Sequence, residues 1–148
     1  PLRDECFSAA AGRGAHLNEH PLGISQVESL DRSVVATGFP YDHGEFADEY
    51  AEVVGAVLAS VNGIRRFGSA ALDLAWVAAG RYEAYWELGL APWDQAAGIV
   101  IVREAGGRVT DLFGTDSIPT TRLVLASNGS IHDGLQGIIE PLLPHRLR

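Results

Sequence analysis

The fold is decided by the stretch Trp93-Asp94-Gln95-Ala96-Ala97-Gly98. Asp94 precedes a strongly apolar segment, Ala96 to Ala105, which ends at Gly106-Gly107. A short acidic residue before an apolar run, with glycines after it, is typical of a helix with an N-cap and a C-terminal stop. We therefore predict that Asp94 is the N-cap of a helix. An aspartate at that position can cap the helix, bind a cation at the mouth of a site, or do both.

The composition around this stretch is that of a globular protein with one domain. Of the 148 residues, 47% are apolar and 20% are charged, and no apolar run reaches the roughly 18 residues that a membrane span needs. The formal net charge of -8 argues against a nucleic-acid-binding surface and is compatible with a site that uses a cation. The lone cysteine, Cys6, excludes an internal disulfide, so we expect a packed thiol and a cytoplasmic protein.

Two segments with different patterns make up the chain. Residues 1–32 are predicted to form a β-hairpin that turns at Gly12-Arg13-Gly14, followed by a short strand from Ile24 to Ser29. Residues 33–148 alternate strands with helices, which indicates an α/β protein with a mostly parallel sheet. The predicted strands are 33–38, 64–67, 82–86, 108–110 and 123–126, and the predicted helices begin near Glu45, Ala70, Asp94 and Ile131.

Three features, the Gly68 turn, Glu87 and Asp94, lie where a strand ends and a helix begins, which is where α/β folds bind ligands. Gly68-Ser69-Ala70 presents free N–H groups that can bind anions or hydroxyl oxygens, although a plain turn capped by Ser69 explains the same residues. Glu87, placed in the loop after a strand, and Asp94 are close enough in sequence to face one cleft. A carboxylate pair can hold Mg²⁺, accept hydrogen bonds from sugar hydroxyls, or act as acid and base.

These motifs resemble the carboxyl-terminal signature of the inositol monophosphatase family, whose members are Mg²⁺-dependent, lithium-sensitive phosphatases. The resemblance covers nearly the whole chain and implies an α+β layered sandwich of the sugar-phosphatase type. In that fold the hairpin of residues 1–32 belongs to a larger sheet. The matching segments are Gly12–Asn18, Thr37–Pro40, Gly68–Ala75, Val77–Gly80, Tyr85–Glu87, Trp93–Gly98, Glu104–Gly107 and Ala126–His132.

The resemblance also implies a role for each candidate residue. Asp94 corresponds to the aspartate that binds a catalytic metal ion at the head of a helix. Glu87 corresponds to the glutamate that accepts hydrogen bonds from the hydroxyls of the substrate's polyol ring. Gly68, Ser69 and Ala70 correspond to the backbone turn that lines the substrate pocket. The implied cofactor is Mg²⁺, the implied substrate is an inositol or sugar phosphate, and the implied assembly is a homodimer.

The sequence departs from the family pattern in its metal-binding residues. The family holds most of its metal ions with an earlier glutamate and a motif of the form Asp-Pro-Ile-Asp-Gly-Thr, and this sequence contains neither. In the family that motif lies upstream of the segment that Pro1 begins. We therefore expect residues 1–148 to be the substrate-binding half of a longer enzyme, completed by a preceding segment or a second chain. By itself, this half is not expected to hydrolyse phosphomonoesters.

The leading interpretation is a Mg²⁺-dependent phosphomonoesterase that acts on inositol monophosphate or a related sugar phosphate. Within the same family, fructose bisphosphate, histidinol phosphate and a phosphorylated adenosine nucleotide remain open as substrates. An alternative from a different class is a non-catalytic interaction protein with a phosphatase-like domain. Neither interpretation calls for a nucleic acid or a membrane as a partner.

Overall fold

The computed structural model describes residues 3–40, 44, 47–116 and 119–143, to which the structural statements below refer. These residues stack in four alternating layers: a small antiparallel sheet, a helix pair, a five-stranded sheet and a second helix pair. The strands are β1 (Phe7–Ala9), β2 (Ala15–Leu17), β3 (His20–Pro21), β4 (Val34–Thr37), β5 (Gly63–Arg65), β6 (Ala84–Leu88), β7 (Arg108–Thr110) and β8 (Leu123–Ser127). The helices are α1 (Ala47–Leu58), α2 (Ala70–Ala78), α3 (Pro92–Glu104) and α4 (His132–Ile139).

The predicted hairpin is confirmed, and it forms a three-stranded antiparallel sheet with β3. Gly12 and Gly14 both have positive φ angles in the turn between β1 and β2, a conformation that glycine adopts at little cost. The carboxylate of Glu104, at the end of α3, accepts hydrogen bonds from the N–H groups of these glycines at 2.9 and 2.8 Å. This carboxylate therefore ties the hairpin turn to the helix layer.

Two predictions for the first 32 residues are wrong. The segment Ile24–Ser29 is not a strand, because the side chain of Asn128 binds its backbone in place of a neighbouring strand. The Asn128 amide donates to the carbonyls of Ser25 and Val27 at 3.2 and 2.7 Å. Cys6 is exposed rather than packed, since alternate residues of the hairpin point to opposite faces and Cys6 lies on the outer one.

The five-stranded sheet has the order β5-β4-β6-β8-β7, and it confirms the α/β class. The prediction of a mostly parallel sheet needs a correction, because the sheet is mixed. β4 pairs in parallel with β5 and β6, whereas β8 lies antiparallel between β6 and β7. The described part of the β7–β8 connection contains no helix to carry the chain back to the start of β7. β8 therefore runs back beside β7.

Each face of this sheet buries its own hydrophobic core. One core lies between the sheet and the α2–α3 pair, and the other lies between the sheet and the α1–α4 pair. Because successive residues of a strand point to opposite faces, Tyr85 of β6 enters the first core and Trp86 enters the second. Glu87 therefore lies on the same face of β6 as Tyr85, towards α2 and α3.

The helix boundaries differ from the prediction at α3, which begins at Pro92 rather than after Asp94. Proline fits the first helical position because an N–H group there would have no partner within the helix, so proline loses nothing by lacking it. The φ angle of proline is also already helical. The predicted start of the first helix near Glu45 lies outside the described residues, and α1 is described from Ala47. None of the described helices is long and apolar enough to cross a membrane.

A fully buried histidine joins α4 to the last two strands of the sheet. His132 lies between the hydroxyl of Thr110, 2.9 Å from Nε2, and the hydroxyl of Ser127, 2.8 Å from Nδ1. Because Thr110 donates its own proton to the carbonyl of Asp111, it accepts from Nε2, and Ser127 donates to Nδ1. This arrangement suits the neutral ring. Burial, with the nearby charge of Arg108, lowers the pKa of His132 to about 4.

We expect the free energy of unfolding to fall by about 1–3 kcal/mol as His132 is titrated from neutral pH down to pH 4. In the unfolded chain the pKa of His132 is close to 6.5, so the unfolded state binds more protons than the folded state between pH 6.5 and about 4. The folded state therefore becomes less stable as the pH is lowered through this range. Urea unfolding of the wild type and of His132→Gln over this range measures the effect. The variant should show a shallower pH dependence, and parallel curves would contradict the prediction.

Candidate functional site

One cavity of about 250 Å³ is lined by Gly68, Ser69, Ala70, Glu87 and Asp94. It lies where β4 and β6 end and where α2 and α3 begin. This is the position at which α/β folds bind ligands, because the carboxyl ends of parallel strands meet the helix N-termini there. The structure therefore brings together every residue that the sequence singled out. Their individual roles stay predictions.

The turn into α2 lines the cavity with Gly68, Ser69 and Ala70. Gly68 has a φ angle of +83°, which allows the chain to turn sharply between β5 and α2. Ser69 is the N-cap residue, but its hydroxyl makes no capping hydrogen bond. The simple alternative, in which the Ser69 side chain caps the helix, therefore does not describe this turn.

Glu87 lies near the end of β6, not in the following loop as the sequence suggested. Its half-buried carboxylate accepts a hydrogen bond from the hydroxyl of fully buried Tyr85. A methyl group at Gly38 would overlap this carboxyl group, so the glycine leaves the space that Glu87 occupies. Burial is the main cause that raises the pKa of Glu87, and the bond from Tyr85 partly opposes that rise.

Asp94 is the third residue of α3, not the predicted N-cap. One carboxylate oxygen, Oδ2, accepts a hydrogen bond from the N–H of Ala91 at 2.9 Å. This bond fixes the side chain at the head of the helix, where the helix dipole favours a negative charge. A ligand in the cavity can then bind the second oxygen. The capping and cation-binding functions that the sequence left open are therefore compatible in one side chain.

Sequence reasoning assigned no role to several residues at the site. The alternation of a strand places Tyr85 and Glu87 on one face, and this spacing could have revealed their contact. Arg66 also lines the cavity, with its guanidinium carbon 5.4 Å from the centre of the Phe39 ring. Trp93, which is 83% exposed, forms part of the cavity wall. An exposed tryptophan beside a polar cavity is a residue type that stacks on ligands.

The described residues fit one ligand of a magnesium site, not a complete site. Mg²⁺ prefers oxygen ligands, usually one or two carboxylates together with water and substrate phosphate. Asp94 offers such an oxygen at the cavity. Among the residues that the structure describes, no group of three His, Cys, Asp or Glu side chains could hold a metal ion.

Comparison with known proteins identifies the family. The sequence profile of the inositol monophosphatase family matches residues 1–143. The chain belongs to this family. Inositol monophosphatase from Anabaena (Nostoc) has a similar structure, with a TM-score of 0.90 and 44% sequence identity over 100% of this chain and 59% of that one. The resemblance and the fold class predicted from the sequence are thereby confirmed.

Relatives of similar identity carry two different names. Inositol-1-monophosphatase from Synechocystis is 47% identical over 91% of this chain and 47% of its own length. Nus factor SuhB from Pseudomonas aeruginosa is 42% identical over 100% of this chain and 55% of its own length. The chain therefore spans about half the length of these relatives, and identity alone does not separate the two names.

Proposed function

We propose that the intact protein is a Mg²⁺-dependent phosphomonoesterase that hydrolyses inositol monophosphate or a related sugar phosphate. In this proposal, residues 1–148 supply the substrate-binding half and one metal ligand. The observation that carries it is the convergence of the Gly68 turn, Glu87 and Asp94 on one cavity. Backbone donors, a ring-binding acid and a metal-binding acid are three of the kinds of group that this reaction uses.

The ring of the substrate would lie between the Gly68 turn and Glu87. The free N–H groups at the start of α2 donate to hydroxyl oxygens, and the Glu87 carboxylate accepts from neighbouring hydroxyls. Tyr85 already binds one Glu87 oxygen and so fixes the direction of the carboxylate. A half-buried carboxylate binds hydroxyls more strongly than an exposed one, because less water competes for it.

Asp94 would hold Mg²⁺ through the oxygen that does not bind Ala91. When bound, Mg²⁺ activates water for attack on phosphorus and stabilises the leaving alkoxide. The contribution of this chain is to fix the Asp94 side chain through its backbone bond and to orient the substrate ring beside it. The other metal ligands would belong to the other half of the fold, in a preceding segment or a second chain. The proposal includes a homodimer in the cytoplasm.

A second candidate function is a non-catalytic interaction protein. The observation that favours it is the name Nus factor, given to relatives 42–46% identical to this chain. In that case the cavity would be retained without turnover. A panel of inositol phosphate, fructose bisphosphate, histidinol phosphate and phosphoadenosine nucleotides, assayed on the full-length protein with and without Mg²⁺, distinguishes the two. Mg²⁺-dependent turnover supports the enzyme, and its absence for every substrate supports the interaction protein.

Glu87→Gln in the full-length protein should reduce kcat/KM for inositol monophosphate about 10- to 100-fold, because the amide accepts hydroxyl protons more weakly than the carboxylate. The Mg²⁺ concentration for half-maximal activity should change less than about twofold, since Glu87 does not hold the metal in this proposal. Glu52→Gln, an exposed position on α1, provides the matched control. An unchanged substrate profile in Glu87→Gln would remove this residue from the ring-binding role.

A further inference from the structure

A buried carboxylate stands directly behind the Gly68 turn. Asp73, in the first turn of α2, is 1% exposed, and its Oδ1 accepts a hydrogen bond from the hydroxyl of Tyr82 at 2.7 Å. The backbone N–H of Asp73 donates to the carbonyl of Ser69 at 2.9 Å, which joins this residue to the turn. The second oxygen, Oδ2, is buried and has no partner among the described residues. A buried acid with an unpartnered oxygen is costly, so its place beside the candidate site calls for a functional explanation.

The hydrogen bond from Tyr82 favours the ionised form of Asp73, because the hydroxyl donates and a carboxylate only accepts. Burial opposes this and raises the pKa of Asp73. The negative charge is felt in the cavity, since it contributes to the raised pKa of Glu87. It also lies at the N-terminus of α2, whose dipole is equivalent to about half a positive charge. The carboxylate therefore weakens the attraction that this helix start would exert on an anion.

We propose that Asp73 is a positioning residue that sets the substrate selectivity of the cavity. It holds the first turn of α2 from inside, so that the Gly68–Ala70 backbone presents donors in a fixed direction. Its charge makes that turn a site for uncharged hydroxyl groups and disfavours a second phosphate there. The substrate class is then a polyol ring that carries a single phosphate. This inference rests on the function proposed above and assigns a determinant of selectivity within it.

The test is Asp73→Asn in the full-length protein with Mg²⁺, assayed on inositol 1-phosphate and fructose 1,6-bisphosphate. Asparagine keeps the volume and an acceptor oxygen for Tyr82, and it removes the charge. The ratio of kcat/KM for the bisphosphate to that for the monophosphate should rise about fivefold or more, mainly through a lower KM for the bisphosphate. Asp111→Asn is the matched control, because the carboxylate of that aspartate also accepts hydrogen bonds, from the N–H groups of Phe113 and Thr115, but does not line the cavity.

A binding measurement keeps the proposal testable without turnover. Inorganic phosphate titrated into the metal-free full-length protein should bind Asp73→Asn about fivefold more tightly than the wild type, with no change in Asp111→Asn. An unchanged substrate ratio together with unchanged phosphate affinity would overturn the role of Asp73. Equal losses of activity on both substrates, accompanied by a lower melting temperature, would also overturn it. Wild-type protein that hydrolyses no substrate of the panel described above would instead refute the proposed function, while the phosphate titration would still report on Asp73.

Discussion

Replacing Asp94 by asparagine is expected to reduce the Mg²⁺-dependent turnover of the full-length protein by about 100-fold or more. The side chain keeps its shape, and its amide oxygen can still accept the hydrogen bond that Asp94 accepts from Ala91. What is lost is the negative charge of a side chain that lines the cavity, and Mg²⁺ binds an amide more weakly than a carboxylate. The concentration of Mg²⁺ for half-maximal activity should therefore rise as turnover falls. Enzyme assays across a Mg²⁺ titration measure both quantities.

The control for this experiment is Asp133→Asn. Asp133 also lies in the first turn of a helix, where its carboxylate pairs with Arg108 at 2.6 Å, and it does not line the cavity. Both substitutions remove a negative charge that interacts favourably with the dipole at a helix N-terminus. Each should therefore change the free energy of unfolding by less than about 1 kcal/mol. Only Asp94→Asn should change the Mg²⁺ dependence. Near-normal activity in Asp94→Asn, or an equal effect of Asp133→Asn, would count against a metal ligand at Asp94.

The sequence was sufficient to bring the candidate residues to one place. Glycines and short polar residues mark where strands end and helices begin, and the alternation of these elements puts such junctions at one edge of a sheet. The pattern selects Gly68, Glu87 and Asp94 from the sequence alone, and these residues line one cavity. This selection depends only on local pattern and topology, which a single sequence records well.

Contacts between distant elements could not be predicted in the same way. The sequence gives no sign that Asp73 differs from an ordinary polar residue of a helix. Only the fold shows that it is buried, next to Tyr82 and the Gly68 turn. The direction of β8 could not be predicted because the described part of the connection before it contains no helix and gives no periodic signal. The start of α3 was misplaced because the cap preference of Asp94 competes with the preference of Pro92 for the first helical position. In each case tertiary structure decides between local options.

The last glycine of the opening motif, Gly98, allows α2 and α3 to pack closely. An added methyl at Gly98 would lie 2.5 Å from both Cβ and Cδ1 of Leu74, a fully buried residue of α2. Gly98→Ala should therefore destabilise the protein by about 1–3 kcal/mol, because the crowded methyl outweighs the better helix propensity of alanine. This corresponds to a fall in melting temperature of about 3–10 °C, measured by thermal unfolding.

The same substitution at Gly55 is expected to have the opposite sign. Gly55 lies on the exposed side of α1, and an added methyl there would meet no atom within 4 Å, so alanine should stabilise the helix by up to about 1 kcal/mol. Gly98→Ala should also reduce turnover more than its loss of stability explains, since α2 begins at the Gly68 turn and α3 carries Asp94. Equal changes in melting temperature for the two variants would show that close packing of α2 and α3 does not require Gly98. Unchanged turnover in folded Gly98→Ala would show that the spacing of these helices does not position the site.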